Sequence, residues 1–315
     1  MPPTSSPPRH ILICGTGALA NLFAARLVAS GAEITILGNW PEGLAALREF
    51  GVRLVQSDGT ERTFAVRATN DPEACQGVRY ALVLVKAWQT ERTARQLTVC
   101  LASDGLALTL QNGLGNDQIL TQHLGRERVA LGVTTTGATL MGPGCVRPGG
   151  EGVISLGEHP GLGPLKVLLK QAGFKVETID DVDALVWGKL VINAAINPLT
   201  ALLRVPNGEL VERASARLLM QDLAQETAAV AEAKGIRLPF YDPVAAAEDV
   251  ARRTASNRSS MLQDVTRGAP TEIDAICGAI VREGERQGVP TAVNRALWLL
   301  VKAAIQERVN SICAP

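Results

Sequence analysis

Three polar side chains recur at every fourth residue of an otherwise apolar segment. The segment WGKLVINAAINPLT, residues 187–200, carries Lys189, Asn193 and Asn197. A step of four residues advances only about 40° beyond a full helical turn, so the three side chains form one stripe on one helix face. A lysine ammonium can protonate a carbonyl oxygen during reduction, and amides can bind a carbonyl or hydroxyl. The structural alternative is that Lys189 reaches toward solvent while the asparagines bridge helices.

A second polar set lies in NRSSMLQD, residues 257–264, and at Glu272. In one interpretation serine hydroxyls hold a substrate carboxylate, while Glu272 binds a substrate hydroxyl or positions Lys189. In the other, Ser260 and Gln263 form a capping box, and Glu272 lies in the first turn of a further helix. The spacing leaves both interpretations open.

A glycine fingerprint follows the first apolar run, in HILICGTGALANLFAARL. Gly15, Gly17 and Ala20 fit GxGxxG/A between a strand and a helix. Gly15 permits the tight turn, Gly17 lets the backbone approach a pyrophosphate, and Ala20 keeps helix and strand close. Because the βαβ context agrees, we favour dinucleotide binding over a plain glycine turn. The predicted cofactor-binding segment is Gly15, Thr16, Gly17, Ala18, Leu19 and Ala20.

The predicted second strand ends in Leu37, Gly38, Asn39 and Trp40. NAD-preferring sites usually place a carboxylate here to bind the ribose 2′-hydroxyl. Its absence permits a 2′-phosphate beside Asn39. Arg48 is a candidate partner for that phosphate, although we favour the interpretation that it is a solvated helix residue.

Two further polar positions follow later strands. Lys86 lies in VKAWQ, residues 85–89, and Asn112 lies in QNGLGN, residues 111–116. Ligands of open α/β sheets bind outside the carboxyl ends of the strands, so both are predicted to face the cofactor. The alternatives are a surface lysine at a strand end and a simple Asn-Gly turn.

Alternation of apolar and amphipathic runs predicts the elements that position these residues. Apolar runs typical of strands lie at 11–14, 33–37, 80–86, 106–111 and 129–140, with edge strands at 146–156 and 174–178. Helical periodicity then covers 182–203, 215–234, 243–255, 258–267, 271–287 and 292–308. We therefore predict an α/β Rossmann-type N-terminal domain over residues 1–178, including a loose tail at 1–9, and an all-α C-terminal domain over 179–315.

Composition excludes several classes of function. Lysine plus arginine and aspartate plus glutamate each total 31, which gives no general attraction to nucleic acid or membrane. The six cysteines are scattered, without a CxxC pair or a signal peptide, and indicate reduced thiols in a cytoplasm. The three histidines lack metal-ligand spacing, so we predict no metal. No apolar run is expected to span a bilayer, because charge or glycine interrupts each candidate.

Taken in order, GTGALA, VKAWQ, QNGLGN, GVTTTGATL, WGKLVINAAINPLTAL, PNGEL, NRSSMLQDV and TEIDAICG resemble the ketopantoate reductase family. The resemblance implies NADPH-dependent reduction of ketopantoate to pantoate, toward pantothenate and coenzyme A, in a cleft between the two domains. It implies that Lys189 is the general acid and that Lys86 and Asn112 meet the nicotinamide ribose or the substrate. The implied substrate-binding residues are Asn193, Asn197, Asn257, Ser260 and Glu272.

This chain departs from the family pattern at one position of the cofactor site. Many relatives carry an arginine just after the second strand, where Asn39 stands here, so NADH is the alternative cofactor. Other open alternatives are a reductase of another 2-oxo acid, a β-hydroxy acid dehydrogenase, and an NADP(H) sensor without turnover. The sequence leaves the oligomeric state undecided, with a homodimer as one candidate.

Overall fold

The structure, a computed structural model, describes residues 8–312 and the side-chain surroundings of residues 8–305. Its contacts divide the chain into two units. The first runs up to Gln111 and continues over Asn116–Val182, and the second comprises Asn112–Gly115 and the chain from Asp183 onward. Residues 1–7 of the predicted tail lie outside the described residues. Arg9 is already tied to the sheet, since its carbonyl accepts a hydrogen bond from the Glu33 amide at 2.6 Å.

From residue 8 onward, the first unit contains twelve strands in two sheets. In chain order they are β1 His10–Cys14, β2 Glu33–Leu37, β3 Val52–Val55, β4 Glu61–Phe64, β5 Arg67–Thr69, β6 Val78–Val83, β7 Leu101–Thr109, β8 Val129–Thr134, β9 Gly137–Gly142, β10 Cys145–Gly150, β11 Val153–Gly157 and β12 Lys175–Ile179. The larger sheet has the order β12-β11-β8-β7-β6-β1-β2-β5. Its pairs are parallel except β8 with β11.

Helices cover this sheet and make its central strands fully buried. They are α1 Ala18–Ala29, α2 Pro41–Phe50, α3 Thr90–Cys100, α4 Asn116–Leu124 and α5 Gly163–Gln171. Along β1, Ile11 and Ile13 join one apolar cluster, while Leu12 and Cys14 join another. Alternate residues of a strand point to opposite faces, so both faces of β1 are packed. Each large apolar side chain buried in this way contributes roughly 1.5–3 kcal/mol.

Residues 129–156 differ from the prediction. The apolar run at 129–140 forms two strands in different sheets, and the predicted strand at 146–156 likewise forms β10 and β11. The chain leaves the large sheet after β8, where the Thr134 hydroxyl accepts a hydrogen bond from the Thr136 amide at 3.1 Å. Such a side-chain turn competes with the strand ladder. The smaller sheet, β4-β3-β10-β9, was not predicted.

The second unit is helical. Its helices are α6 Val182–Leu203, α7 Glu209–Glu212, α8 Ala214–Ala233, α9 Pro243–Arg253, α10 Ser260–Thr266, α11 Cys277–Gln287 and α12 Ala292–Ile312. The predicted fold class, a Rossmann-type α/β domain followed by an all-α domain, is confirmed.

Helix α6 bears on the expectation that no apolar run spans a bilayer. This helix has 22 residues and is apolar enough to cross a membrane by length and composition. However, 67% of its most apolar window is buried inside the protein, as in a core helix. The apolar residues of α6 pack on two sides of the helix. Leu190 and Ala194 join one cluster, and Val191 and Ala195 join another.

Candidate active site

The turn after β1 offers backbone and open space to a phosphate. Gly15 has φ +124°, and a Cβ there would lie 3.0 Å from the Leu84 carbonyl oxygen. Gly17 is the exposed N-cap of α1, and apart from its chain neighbours no atom lies within 4 Å of where its Cβ would be. The first amides of α1 have no partner within the helix and carry its positive dipole end. The segment Gly15 to Ala20 therefore fits the pyrophosphate of a dinucleotide.

Asn21 holds this turn in place and was missed by the sequence interpretation. The side chain is fully buried, and its Nδ2 donates to the carbonyls of Thr16 at 3.0 Å and Gly17 at 2.8 Å. These two bonds fix the Thr16 and Gly17 carbonyls and so restrain the backbone of the turn. The sequence signal for this role was the presence of a polar residue among the apolar positions of α1.

Asn39 lies beside the same turn. The Gly15 amide donates to the Leu37 carbonyl at 2.8 Å, so the chain after β2 runs next to the glycine turn. The exposed Asn39 accepts a hydrogen bond from Gln89 Nε2 at 3.1 Å. Arg48 is in the last turn of α2, and its Nε donates to the Ala68 carbonyl at 2.8 Å. This bond ties the exposed Arg48 side chain to β5.

Lys86 is half-buried just beyond β6, in a loop that is held by hydrogen bonds from a neighbouring side chain. Gln111, after β7, donates from Nε2 to the Val85 carbonyl at 2.9 Å and to the Thr90 hydroxyl at 2.8 Å. Since Leu84 and Val85 also line the space beside Gly15, Lys86 follows the segment that borders the glycine turn. Within the first unit, Lys86 is thus close in the fold to the predicted phosphate-binding segment.

In the second unit, α6 carries Lys189, Asn193 and Asn197 on one face. Lys189 and Asn193 are half-buried and Asn197 is buried. Burial lowers the pKa of Lys189 to about 8, while the charge of Glu272 partly offsets this by raising it. The ammonium is therefore surrounded by protein although part of the side chain remains accessible. A lysine with this pKa is suited to donating a proton near neutral pH.

Glu272 lies in the turns before α11, so the interpretation of Glu272 as a helix-start residue was wrong. The backbone from Glu272 to Ile276 forms turns, with amides 275 and 276 donating to the Glu272 carbonyl. The buried carboxylate accepts from Asn112 Nδ2 at 3.2 Å. Asn112 is held there because the Leu114 amide donates to the Ala275 carbonyl at 2.9 Å. Asn112, Glu272 and Lys189 thus form one polar group in the second unit.

The helix cap at α10 differs from the prediction by one residue. Ser259, not Ser260, is the N-cap, and its hydroxyl accepts from the Leu262 amide at 3.1 Å. Gln263 donates to the Arg258 carbonyl at 3.0 Å instead of completing a capping box. Ser260 is half-buried in the first turn, outside the cap. Asn257 is exposed, and its carbonyl accepts from the Asn207 amide at 3.0 Å.

Taken together, the arrangement provides the parts of a carbonyl reductase. The first unit groups the glycine turn with Asn39 and Lys86, and the second unit groups Lys189 with a carboxylate and several amides and hydroxyls. A buried ammonium can donate a proton and stabilise the negative charge that develops on a carbonyl oxygen.

Comparison with known proteins places this arrangement in context. The family description "Ketopantoate reductase PanE/ApbA" matches residues 11–161, and "Ketopantoate reductase PanE/ApbA C terminal" matches residues 181–306. The chain is 36% identical over 301 residues to the 2-dehydropantoate 2-reductase of Halobacterium salinarum, covering 94% of this chain and 98% of that protein. The corresponding protein of Archaeoglobus fulgidus is 37% identical over 299 residues, covering 93% and 97%.

Two solved structures are also similar over almost the whole chain. A PanE/ApbA family ketopantoate reductase from Ralstonia eutropha has a TM-score of 0.88 at 33% identity, covering 95% of this chain and 99% of that one. A ternary structure of D-mandelate dehydrogenase with NADH and anilino(oxo)acetate has a TM-score of 0.89 at 28% identity, with the same coverage.

Proposed function

Because the chain belongs to the ketopantoate reductase family of oxidoreductases, we propose that it reduces 2-dehydropantoate (ketopantoate) to pantoate with NADPH. The observation that carries the proposal is the half-buried Lys189, which shares one face of α6 with Asn193 and Asn197 and whose pKa responds to the charge of Glu272. The bound cofactor supplies a hydride to the carbonyl carbon. Lys189 delivers the proton to the carbonyl oxygen, so that no free alkoxide forms.

The remaining polar residues bind and orient the substrate. Ketopantoate combines a 2-oxo acid with a terminal hydroxyl. Glu272 can accept a hydrogen bond from that hydroxyl while its charge favours the protonated form of Lys189. The carbonyl and carboxylate are proposed to bind the side chains of Asn193, Asn197, Asn257 and Ser260.

The proposed cofactor site uses the glycine turn for the pyrophosphate, and Lys86 for the nicotinamide ribose or the substrate. We propose that Asn112 acts at the ribose or substrate as well, in addition to its contact with Glu272. The absence of a carboxylate beside Asn39 supports acceptance of the 2′-phosphate of NADPH. NADH is the alternative, because Asn39 provides no positive charge and the related D-mandelate dehydrogenase was solved with NADH.

The second candidate function is reduction of another 2-oxo acid. It is favoured by the similarity to D-mandelate dehydrogenase over almost the whole chain. The pathway context that we propose is pantothenate and coenzyme A synthesis in the cytoplasm. Reduced surroundings fit the cysteines of the described residues, all free and buried: Cys14, Cys75, Cys100, Cys145 and Cys277. A homodimer stays a prediction.

Steady-state oxidation of NADPH and NADH, followed by nicotinamide absorbance with ketopantoate and a panel of other 2-oxo acids, tests the proposal. We expect ketopantoate with NADPH to have the highest kcat/KM, by about tenfold or more over acids that lack the hydroxyl. A higher value for another 2-oxo acid would favour the second function. Cofactor binding without oxidation by any acid would indicate a sensor.

The pH dependence of the reaction provides a separate prediction. Since Lys189 must be protonated to act as an acid, and its pKa is about 8, kcat/KM for reduction should be constant at lower pH and half-maximal near pH 8. Above that pH it should fall about tenfold per unit. Pantoate oxidation requires the neutral amine, so its rate should rise through the same pH. Profiles of both directions, measured with saturating cofactor, check this prediction, and parallel slopes in the two directions would contradict it.

A further inference from the structure

A pair of buried hydroxyls joins α6 to the start of α10. Thr200 Oγ1 and Ser259 Oγ lie 2.7 Å apart, and Thr200 is fully buried. Thr200 follows Asn197 on α6 by three residues, and Ser259 immediately precedes Ser260. The hydroxyl pair therefore connects two segments that carry proposed substrate-binding residues.

The direction of each hydrogen bond in this pair follows from the number of protons. Thr200 donates to the carbonyls of Ile196 and Asn197, each at 3.0 Å, which uses its one hydroxyl proton. Ser259 must then donate to Thr200, and its oxygen also accepts from the Leu262 amide. A single chain of bonds thus runs from the α10 backbone to the α6 backbone at Asn197. In this arrangement both hydroxyl protons and both hydroxyl oxygens take part in hydrogen bonds, as buried polar groups usually do.

The turn of α6 that carries Asn197 lacks one backbone hydrogen bond. Pro198 lies inside the helix and has no amide proton to donate to the preceding turn. The Thr200 hydroxyl supplies additional bonds to carbonyls 196 and 197 in that turn. The side chain therefore stabilises the backbone that bears Asn197 as well as the link to Ser259.

We propose that Thr200 is a positioning residue whose bond to Ser259 sets the spacing between Asn197 and Ser260 for binding a 2-oxo acid. The inference rests on the proposed function, since it takes these two side chains as substrate ligands. Small displacements of binding groups weaken substrate binding even when the fold persists. Lys189 lies about three turns from Thr200 on α6, so its proton transfer should change little.

The test compares Thr200→Val, which removes the hydroxyl at nearly constant volume, with Thr200→Ser, which retains it. With saturating NADPH, we expect Thr200→Val to raise KM for the 2-oxo acid about tenfold while kcat falls less than about threefold. Thr200→Ser should restore KM to within about twofold of wild type. A KM for Thr200→Val within about twofold of wild type would overturn the proposal.

Thr227→Val is the matched control. Thr227 is also fully buried in the second unit, and its hydroxyl donates to the Leu223 carbonyl at 2.7 Å, within its own helix α8. Both valine variants should lower the thermal midpoint, but only Thr200→Val should raise KM. An equal rise in KM for the control would show that general destabilisation is responsible, and would overturn the positioning role.

Hydrogen exchange keeps the inference testable apart from catalysis. In the absence of substrate, the amides of residues 259–262 should exchange faster in Thr200→Val than in wild type. In Thr227→Val their exchange rates should equal those of wild type. Unchanged exchange in Thr200→Val would overturn the link. If the wild type reduces no 2-oxo acid, the proposed function fails, while this exchange comparison still decides whether Thr200 holds the start of α10. If Thr200→Val does not fold, Ser259→Ala and Ser259→Thr repeat the comparison from the other side.

Discussion

Replacing Lys189 by alanine is expected to lower kcat for 2-oxo acid reduction by about a hundredfold or more, with the Kd for NADPH within about twofold of wild type. The side chain supplies both the proton and the positive charge at the carbonyl oxygen, and neither is replaced by alanine. The glycine turn that is proposed to bind the cofactor lies in the other unit and is unchanged. Stopped-flow reduction and fluorescence titration of NADPH measure the two quantities.

Lys234→Ala is a suitable control for the Lys189 variant. Lys234 belongs to the same unit and forms an ion pair with Glu283 at 2.7 Å, where the ammonium has solvent access. Its loss should leave kcat near the wild-type value, because surface pairs contribute little. Near-normal turnover in Lys189→Ala would contradict the general-acid assignment and leave Lys189 as a lysine that only fills its site.

The parts of the site that were predictable from sequence are those set by local spacing. The glycine turn is defined within six residues, and the stripe on α6 depends only on the helical repeat. The α/β class of the first unit also followed from alternating strands and helices, since parallel strands require such crossovers. These features are encoded by neighbours in the sequence, so composition and periodicity were sufficient.

Apart from Asn21, the parts of the site that were missed depend on contacts between distant residues. Asn112 and Glu272 are separated by 160 positions, and Thr200 and Ser259 by 59. Periodicity gives no information about such pairs. The small sheet was missed for a related reason. The β4 segment ERTF is mostly exposed, so it lacks the apolar run that indicates a buried strand.

The cap of α10 shows how a distant contact decides between two local choices. The sequence offers adjacent serines, and either one fits the preference for a hydroxyl at the N-cap. The structure uses Ser259, whose hydroxyl also reaches Thr200. A cap at Ser260 would lose the bond between the two hydroxyls, whose net contribution is about 0.5–1.5 kcal/mol. The tertiary contact with Thr200 thus distinguishes between two serines that are equivalent as N-caps by local sequence.

Replacing Glu272 by glutamine is expected to lower kcat/KM for ketopantoate by about tenfold to a hundredfold. Glutamine keeps an oxygen that can accept from Asn112, so the change removes charge while retaining shape. Two effects combine, namely a weaker acceptor for the substrate hydroxyl and the loss of the negative charge near Lys189. The decrease should be smaller for a 2-oxo acid of the same branching that lacks the hydroxyl, because only the second effect then remains.

The loss of charge at Glu272 also has a pH signature that distinguishes it from loss of packing. The charge of Glu272 raises the pKa of Lys189 against the larger effect of burial. Without it the protonated lysine is less favoured, so the half-maximal pH of reduction should move below its wild-type value of about 8. Glu283→Gln, which disrupts the exposed pair with Lys234, should leave this pH unchanged. A Glu272→Gln enzyme with an unshifted profile and wild-type kcat/KM would show that the carboxylate serves only to hold Asn112, because glutamine preserves that hydrogen bond and removes everything else.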